Sequence, residues 1–358
     1  MPEIPIRKLE KYAEHTHIMC RNPELIMRKF IYYLEYLGAR LLAWEVRILP
    51  RAWLPKLAKA MEFCFRAARP YRKLIRANIR AAMPELAPPE VERISRESMR
   101  NTFLNFLEFV WINGDMKRLQ RCCRYPPDPE LKKMILDHHK AGHRMIFINP
   151  HLGSWEASGM MVTMFGEIDM AAIAKPIKNP YVNKLLNSGS REKAHGLKII
   201  FSRGAAREAI KLMKQGMHLG TLIDQNTRVR DGGEFLDFFG LPVASSVSPA
   251  VLKRYCDAHG IPSVLIFGVS LRGKDGLIHP LCIELPRPFD EYPDDKAVIQ
   301  EMMKISESYI RKYPEQYVWL YKRFQHIPPG CPEEVRKRYP YYAKEPPPTF
   351  FRKLMPRK

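Results

Sequence analysis

From Met145 to Lys312, short apolar runs alternate with amphipathic stretches, and no other feature limits the fold as tightly. Met145–Ile148, Met170–Ala174, Leu197–Phe201, Leu219–Ile223, Pro262–Val269 and Ile278–Glu284 have the length and apolar character of buried strands. Between them, the spacing predicts helices from Trp155 towards Met164 and over Pro180–Ala194, Ala205–Lys214, Pro249–His259 and Asp294–Lys312. Gly196 and Gly216 stand just past two of these helices, where a left-handed residue ends a helix without strain. Strands joined in sequence by helices are accommodated by an α/β fold with a mainly parallel central sheet and helices on both faces.

The chain before this region predicts a different layer. Apolar residues at Phe30, Leu34, Leu37, Leu41, Trp44 and Ile48 follow a helical period, and the rest of that surface is basic and aromatic. Such a helix lies either in a membrane interface or against the main domain. No run of 18 apolar residues is present, because Arg28, Lys29, Glu35, Arg40, Glu45 and Arg47 interrupt the best candidate. The start of the chain is charged and lacks the apolar core of a secretory signal. A longer helix spans Val91–Trp111, with Met99, Phe103, Phe106 and Phe109 as its apolar positions. The expected organisation is a polar segment over 1–24, a helical, membrane-associating region over 25–125, an α/β domain over 126–328 and a basic, Pro-rich, loosely docked tail over 329–358.

The first strand runs into Asn149-Pro150-His151-Leu152-Gly153-Ser154-Trp155-Glu156. Pro150 breaks the strand, Gly153 turns the chain, and Ser154 stands where the next helix needs an N-cap. His151 therefore sits at a strand-to-helix turn, where open α/β sheets meet their ligands. With His151 in the turn and Glu156 in the first helical turn, the two can meet. A carboxylate on one ring nitrogen leaves the other as a general base. No serine or cysteine stands in a nucleophile elbow, so the attacking hydroxyl would belong to a substrate.

Charge and cysteine content narrow the partners. Fifty-nine basic against 38 acidic residues give a net charge of +21, which favours polyanions: anionic membrane, phosphorylated lipid, acyl carrier protein or nucleic acid. The seven cysteines are odd in number and form no Cys-x2-Cys pair, which points to a reducing compartment and away from a zinc ribbon. His139 and His143 have helical ligand spacing, but Gly142 ends the helix between them, so no metal is expected.

The segment from Asn149 to Glu156 resembles the His-x4-Asp/Glu motif of the lysophospholipid acyltransferase superfamily. Within it, the resemblance is to the bacterial lipid A late acyltransferases (lauroyl and myristoyl transferases). Further blocks follow in the same order: Lys175-Pro176-Ile177-Lys178-Asn179-Pro180-Tyr181-Val182, Arg191-Glu192-Lys193, Asp224-Gln225, Phe238-Phe239-Gly240-Leu241-Pro242, and Pro314 to Phe324. The likeness implies a glycerolipid-acyltransferase-like fold and an O-acyltransferase in which His151 and Glu156 form the catalytic dyad. It implies acyl carrier protein or acyl-CoA as donor and a lipid A precursor as acceptor. The acyl thioester is a co-substrate, and no bound cofactor is called for. The resembled enzymes work at the cytoplasmic face of the inner membrane, so a peripheral or monotopic placement is expected.

The remaining candidates follow from chemistry and resemblance together. Lys175, Lys178, Arg191 and Lys193 are cations for a substrate phosphate, with Arg203 and Arg207 weaker ones. Asp224 and Gln225 end a strand on the His151 side, where Asp224 would orient substrate hydroxyls or Arg191, or close an Asx-turn. Backbone N–H groups of Gly153 and Ser154 are oxyanion candidates. Phe235–Val243 reads as an apolar loop, with Phe238, Phe239 and Leu241 lining either an acyl slot or the core. Arg323 is a possible substrate contact. The alternatives are another lipid acceptor (lysophospholipid, glycolipid or aminolipid), or a basic nucleic-acid-binding protein.

Overall fold

The computed structural model describes residues 23–193, 196–201 and 204–352. The polar segment over 1–24, apart from its last two residues, lies outside them, as do Ala194, Arg203 and positions 353–358. The strands are β1 (Arg144–Asn149), β2 (Met170–Ala174), β3 (Leu197–Phe201), β4 (His218–Leu222), β5 (Gly233–Phe238), β6 (Leu241–Ser246), β7 (Ser263–Arg272) and β8 (Ile278–Glu284). Six form one sheet in the order β3-β2-β4-β1-β7-β8. All its pairings are parallel except β7 with β8. This is the expected α/β architecture, with β1 near the middle and its apolar run buried on both sides.

The side chains of β1 alternate between two cores. Ile146 and Ile148 join one face of the sheet, packed with α9 (Ala205–Lys214), α10 (Ser248–Ala258) and α11 (Asp295–Lys312). Met145 and Phe147 join the other, packed with α6 (Pro129–Lys140) and α7 (Trp155–Gly166). Ahead of the sheet come α1 (Pro23–Ile48), α2 (Leu54–Phe65), α3 (Arg69–Ala82), α4 (Pro88–Ile112) and α5 (Met116–Cys122). Helix α4 is ~37 Å long at about 1.5 Å per residue. It feeds both cores, Val91, Ile94 and Met99 entering one and Leu104, Leu107 and Phe109 the other. Prolines in its first turn start it, and Asn113, left-handed at φ 49°, ends it.

Its buried stripe differs from the one expected. Phe106 is exposed, while Asn105 and Glu108 are buried. Both polar groups are satisfied there. Arg272 of β7 grips the Glu108 carboxylate with both Nη atoms, and its Nη2 also donates to Asn105 Oδ1. A buried charge is tolerable only with such partners, and the clasp ties the helical layer to the sheet.

Three further elements depart from the sequence reading. Phe235–Val243 is not a loop but most of the β5–β6 hairpin, closed at Phe239 and Gly240 with φ of 59° and 69°. Two successive positive φ values suit a tight hairpin turn, but phenylalanine seldom adopts one, so the turn carries no Asn-Gly signature. The helix expected over Pro180–Ala194 stops at Leu186 as α8 (Pro180–Leu186), and a separate helical turn spans Arg191–Lys193. The tail is docked rather than loose, since Arg338 donates to the carbonyls of Phe239 and Gly240, and Phe350 is buried.

Candidate active site

Past its carboxyl end, β1 continues through Pro150 to His151, and its neighbour β4 continues through Ile223 to Asp224. Asn149 and Leu222 are partners in the parallel ladder. Two residues further on, that register sets His151 beside Asp224. The ring Nδ1 lies 2.7 Å from Asp224 Oδ1, and the backbone N–H of His151 donates to Oδ2 at 2.8 Å. One buried carboxylate thus fixes both the ring and the backbone of the histidine. Asp224 is itself backed by the Tyr317 hydroxyl and by the charge of Arg323.

The electrostatics are those of a coupled pair. Burial by itself lowers the affinity of His151 for a proton, but the charge and hydrogen bond of Asp224, aided by Glu156, bring the net shift above the ordinary imidazole value. Asp224 shifts the other way. Burial opposes ionisation, and the contacts from His151 outweigh it, so the carboxylate stays charged well into acid. With Nδ1–H donated to Asp224, Nε2 is left as the acceptor. It faces the side-chain amide of Gln225 at 3.1 Å, and the oxygen of that amide accepts from Lys175 Nζ at 3.2 Å.

Glu156 does not orient His151, contrary to the expected dyad. Both its oxygens accept from Arg191, at 2.9 Å from Nε and 2.6 Å from Nη2. Arg191 also reaches Asn187 Oδ1 and stacks over the Phe109 ring. In the first turn of α7, Glu156 gives both its oxygens to Arg191, and only its charge acts on the His151 ring. The guanidinium expected to hold a phosphate is therefore already forked onto a carboxylate.

The turn after His151 is built from backbone contacts. Gly153 has φ +63°, and a Cβ there would sit 2.1 Å from the Ser270 carbonyl oxygen, so the position admits only glycine. Its N–H donates to Gln316 O, and the Ser154 N–H donates to Ser270 O at 2.7 Å. Both amides are engaged with carbonyls, which removes them as oxyanion donors. Ser154 does occupy the N-cap, but its side chain makes no capping bond. Asn105 of α4 donates to Gly153 O at 2.6 Å, and Val318 N–H to His151 O.

A family model described as bacterial lipid A biosynthesis acyltransferase matches residues 23–326. The chain belongs to this family. It is similar to the lipid A biosynthesis myristoyltransferase of Escherichia coli (strain K12), with 23% identity over 317 residues, covering 87% of this chain and 93% of that protein. The lipid A biosynthesis lauroyltransferase of the same organism is 23% identical over 305 residues, covering 84% and 94%. Lipid A biosynthesis acyltransferase 2 of Shigella flexneri is 25% identical over 277 residues, covering 75% and 82%. The protein is accordingly an acyltransferase.

In this lipid A acyltransferase fold the other candidates separate into groups. Lys175 follows β2 and joins the carboxyl-end cluster through Gln225. Lys178, three residues on, is exposed. Lys193 is on the wrong side. It lines a shallow crevice with Asp169, Lys198 and Met217, at the amino ends of the strands and away from His151. Arg207, in the first turn of α9, is exposed. Phe238, Phe239 and Leu241 are fully buried, the two rings packed against Tyr317, Phe324 and Trp319, so they build core and offer no open slot. Arg323 is 2% exposed and spends its guanidinium on Asn226, Ala244 O and Ser245, which makes it a buried support for the Asp224 turn and not a substrate contact.

Gln316, Tyr317, Asn105 and Arg272 were not legible as site residues. Gln316 bonds the Arg272 backbone in both directions and so fastens the Gly153 turn to β7. The one available signal was a buried polar pair, Asn105 and Glu108, on the core side of α4.

Proposed function

We propose that the protein moves a fatty acyl group from an acyl thioester, on acyl carrier protein or coenzyme A, to a hydroxyl of a lipid A precursor or related glycolipid, with His151 as general base. The observation that carries this reading is the Asp224 carboxylate on Nδ1, which leaves the Nε2 lone pair at the carboxyl ends of the strands. In the proposed step, Nε2 takes the proton of the acceptor hydroxyl as its oxygen attacks the thioester carbonyl. The tetrahedral intermediate then expels the thiolate, which takes the proton back from Nε2. Asp224 steadies the imidazolium between the two transfers. The positive end of α7, which begins beside His151, supplies the potential for the oxyanion. Glu156 and Arg191 brace this end of the helix. No bound cofactor enters the step, because the thioester arrives with the donor.

The acceptor is a phosphorylated lipid in this reading, drawn by Lys175 and Lys178, which are exposed just past the carboxyl end of β2. Helix α1 supports work at a lipid surface. Ile26, Phe30, Leu34, Leu37, Leu41, Trp44 and Ile48 are all exposed, so its apolar stripe faces outward and not into the domain. No helix among the described residues is long and apolar enough to cross a membrane. In this reading α1 lies in the plane of the interface, on the cytoplasmic face of the inner membrane. The test supplies acyl carrier protein thioesters of several lengths and a phosphorylated lipid A precursor to wild type and His151→Ala. Transfer should fall by about 10²–10⁴-fold in the variant, the usual weight of a positioned base. Transfer undiminished in a folded His151→Ala would sink the assignment. Thioester consumption with total lipid extract only would keep the chemistry and change the acceptor.

A further inference from the structure

The lone pair that the reaction needs is occupied. Lys175 Nζ can only donate, so its contact with Gln225 Oε1 sets the orientation of the amide and turns the NH2 group towards His151. Asp224 holds the proton on Nδ1, so Nε2 accepts from that NH2. The Gln225 side chain thus stands where the acceptor hydroxyl must stand, and it has to leave before a hydroxyl can reach the base. Among the described residues, its amide oxygen is held by one exposed lysine, just past the end of β2, the strand next to β4.

We propose that Gln225 is a cap on the catalytic base, latched by Lys175, and that an anionic group of the acceptor opens it by drawing Lys175 away. The inference rests on His151 being the base. It adds that the enzyme selects anionic acceptors in two ways, by attraction and by making the base available only once the anion is in place. Without acceptor, the capped nitrogen does not activate water, so the acyl thioester is spared hydrolysis.

Carbethoxylation by diethyl pyrocarbonate reads this directly, because the reagent attacks an unprotonated ring nitrogen. The full chain is treated across a pH series and His151 is followed by peptide mass spectrometry, comparing rates on the plateau where the ring is neutral. Gln225→Ala should react about two- to tenfold faster than wild type, the weight of one neutral hydrogen bond. Loss of a donor to the neutral ring should also raise the apparent pKa of His151, a shift that a merely structural role for Gln225 does not produce. Inorganic pyrophosphate, added at constant ionic strength, should accelerate wild type but neither Gln225→Ala nor Lys175→Met. A Gln225→Ala rate equal to wild type overturns the cap. Pyrophosphate that leaves wild type unchanged, slows it, or accelerates Lys175→Met equally overturns the latch. Neither donor nor acceptor is present, so the outcome is independent of the transfer assay on His151→Ala.

Discussion

At the scale of single residues, the site turns on which carboxylate serves which cation. Asp224 serves His151, and Glu156 serves Arg191. Asp224→Asn should leave the ring in place but let it take the wrong tautomer, with a loss of kcat of about 10²–10⁴-fold. The pH profile carries a second signature. Raised above its ordinary value, His151 must lose its proton to act, so activity should rise with pH through a midpoint above the usual imidazole range of about 6.5. In Asp224→Asn that midpoint should move to lower pH, since the main cause of the upward shift is gone. The Glu156–Arg191 pair predicts something different. Both side chains are largely buried, so Glu156→Gln or Arg191→Met alone leaves a partner stranded, while the double variant does not. A double-mutant cycle on thermal unfolding should give a coupling of about 1–3 kcal/mol. Zero coupling would mean that the fork is not formed in solution.

At the scale of elements, the sheet was legible because most of its strands are short, largely apolar runs between turn residues, and such runs have few other fates. The His151 turn was legible for the same reason, since Pro150 and Gly153 punctuate it. Two things were not. The hairpin turn uses Phe239 where a sequence reader expects asparagine or glycine, and tertiary contacts hold it there: the ring packs against Trp319, its N–H donates to Glu307, and its carbonyl accepts from Arg338 of the tail. The partner of His151 was hidden as well. Asp224 is distant in sequence, and the contact exists because β4 inserts between β2 and β1, an order that no local pattern announces. Glu156, close in sequence, is the natural choice, but its carboxylate is forked onto Arg191. The turn also makes a prediction at this scale. Gly153→Ala forces a side chain into a left-handed backbone, at a cost of about 1–2 kcal/mol. The new Cβ would also meet the Ser270 carbonyl. The melting temperature should fall, and transfer should fall further than stability explains, because His151 leads into that turn. A variant with wild-type melting and activity would show that the turn can relax.

At the scale of the whole molecule, the outward face of α1 and the net charge of +21 act on the same surface in separable ways. Among the described residues, side-chain hydrogen bonds tie helix α1 to the body in two regions. Arg47 bonds Val110 O and Asn113 near one end, and Asn179 bonds Tyr32 O and Glu35 along its length. Ala43 and Val46 pack into the domain, while Leu34, Leu37, Leu41 and Trp44 on the opposite face stay exposed to solvent or lipid. Asn179 also caps α8 and closes the loop that carries Lys175 and Lys178, so a docked α1 holds those lysines near the bilayer. Apolar insertion is insensitive to salt, whereas attraction of surface lysines and arginines to anionic lipid is screened beyond about 10 Å at 0.1 M salt. Neutral vesicles should therefore float wild type through α1 at any ionic strength. Anionic vesicles should float it more strongly at low salt and fall back to the neutral level at high salt. The triple variant Phe30→Ser, Leu34→Ser, Leu37→Ser should lose the salt-independent part and keep the salt-dependent one. With the acceptor dispersed in detergent, it should transfer at the wild-type rate, since all three side chains are exposed on the outward face of α1. If the triple variant still floats with neutral vesicles, the lipid contact lies elsewhere on the molecule. If it loses transfer in detergent too, α1 serves the fold of the site and not its delivery to a membrane.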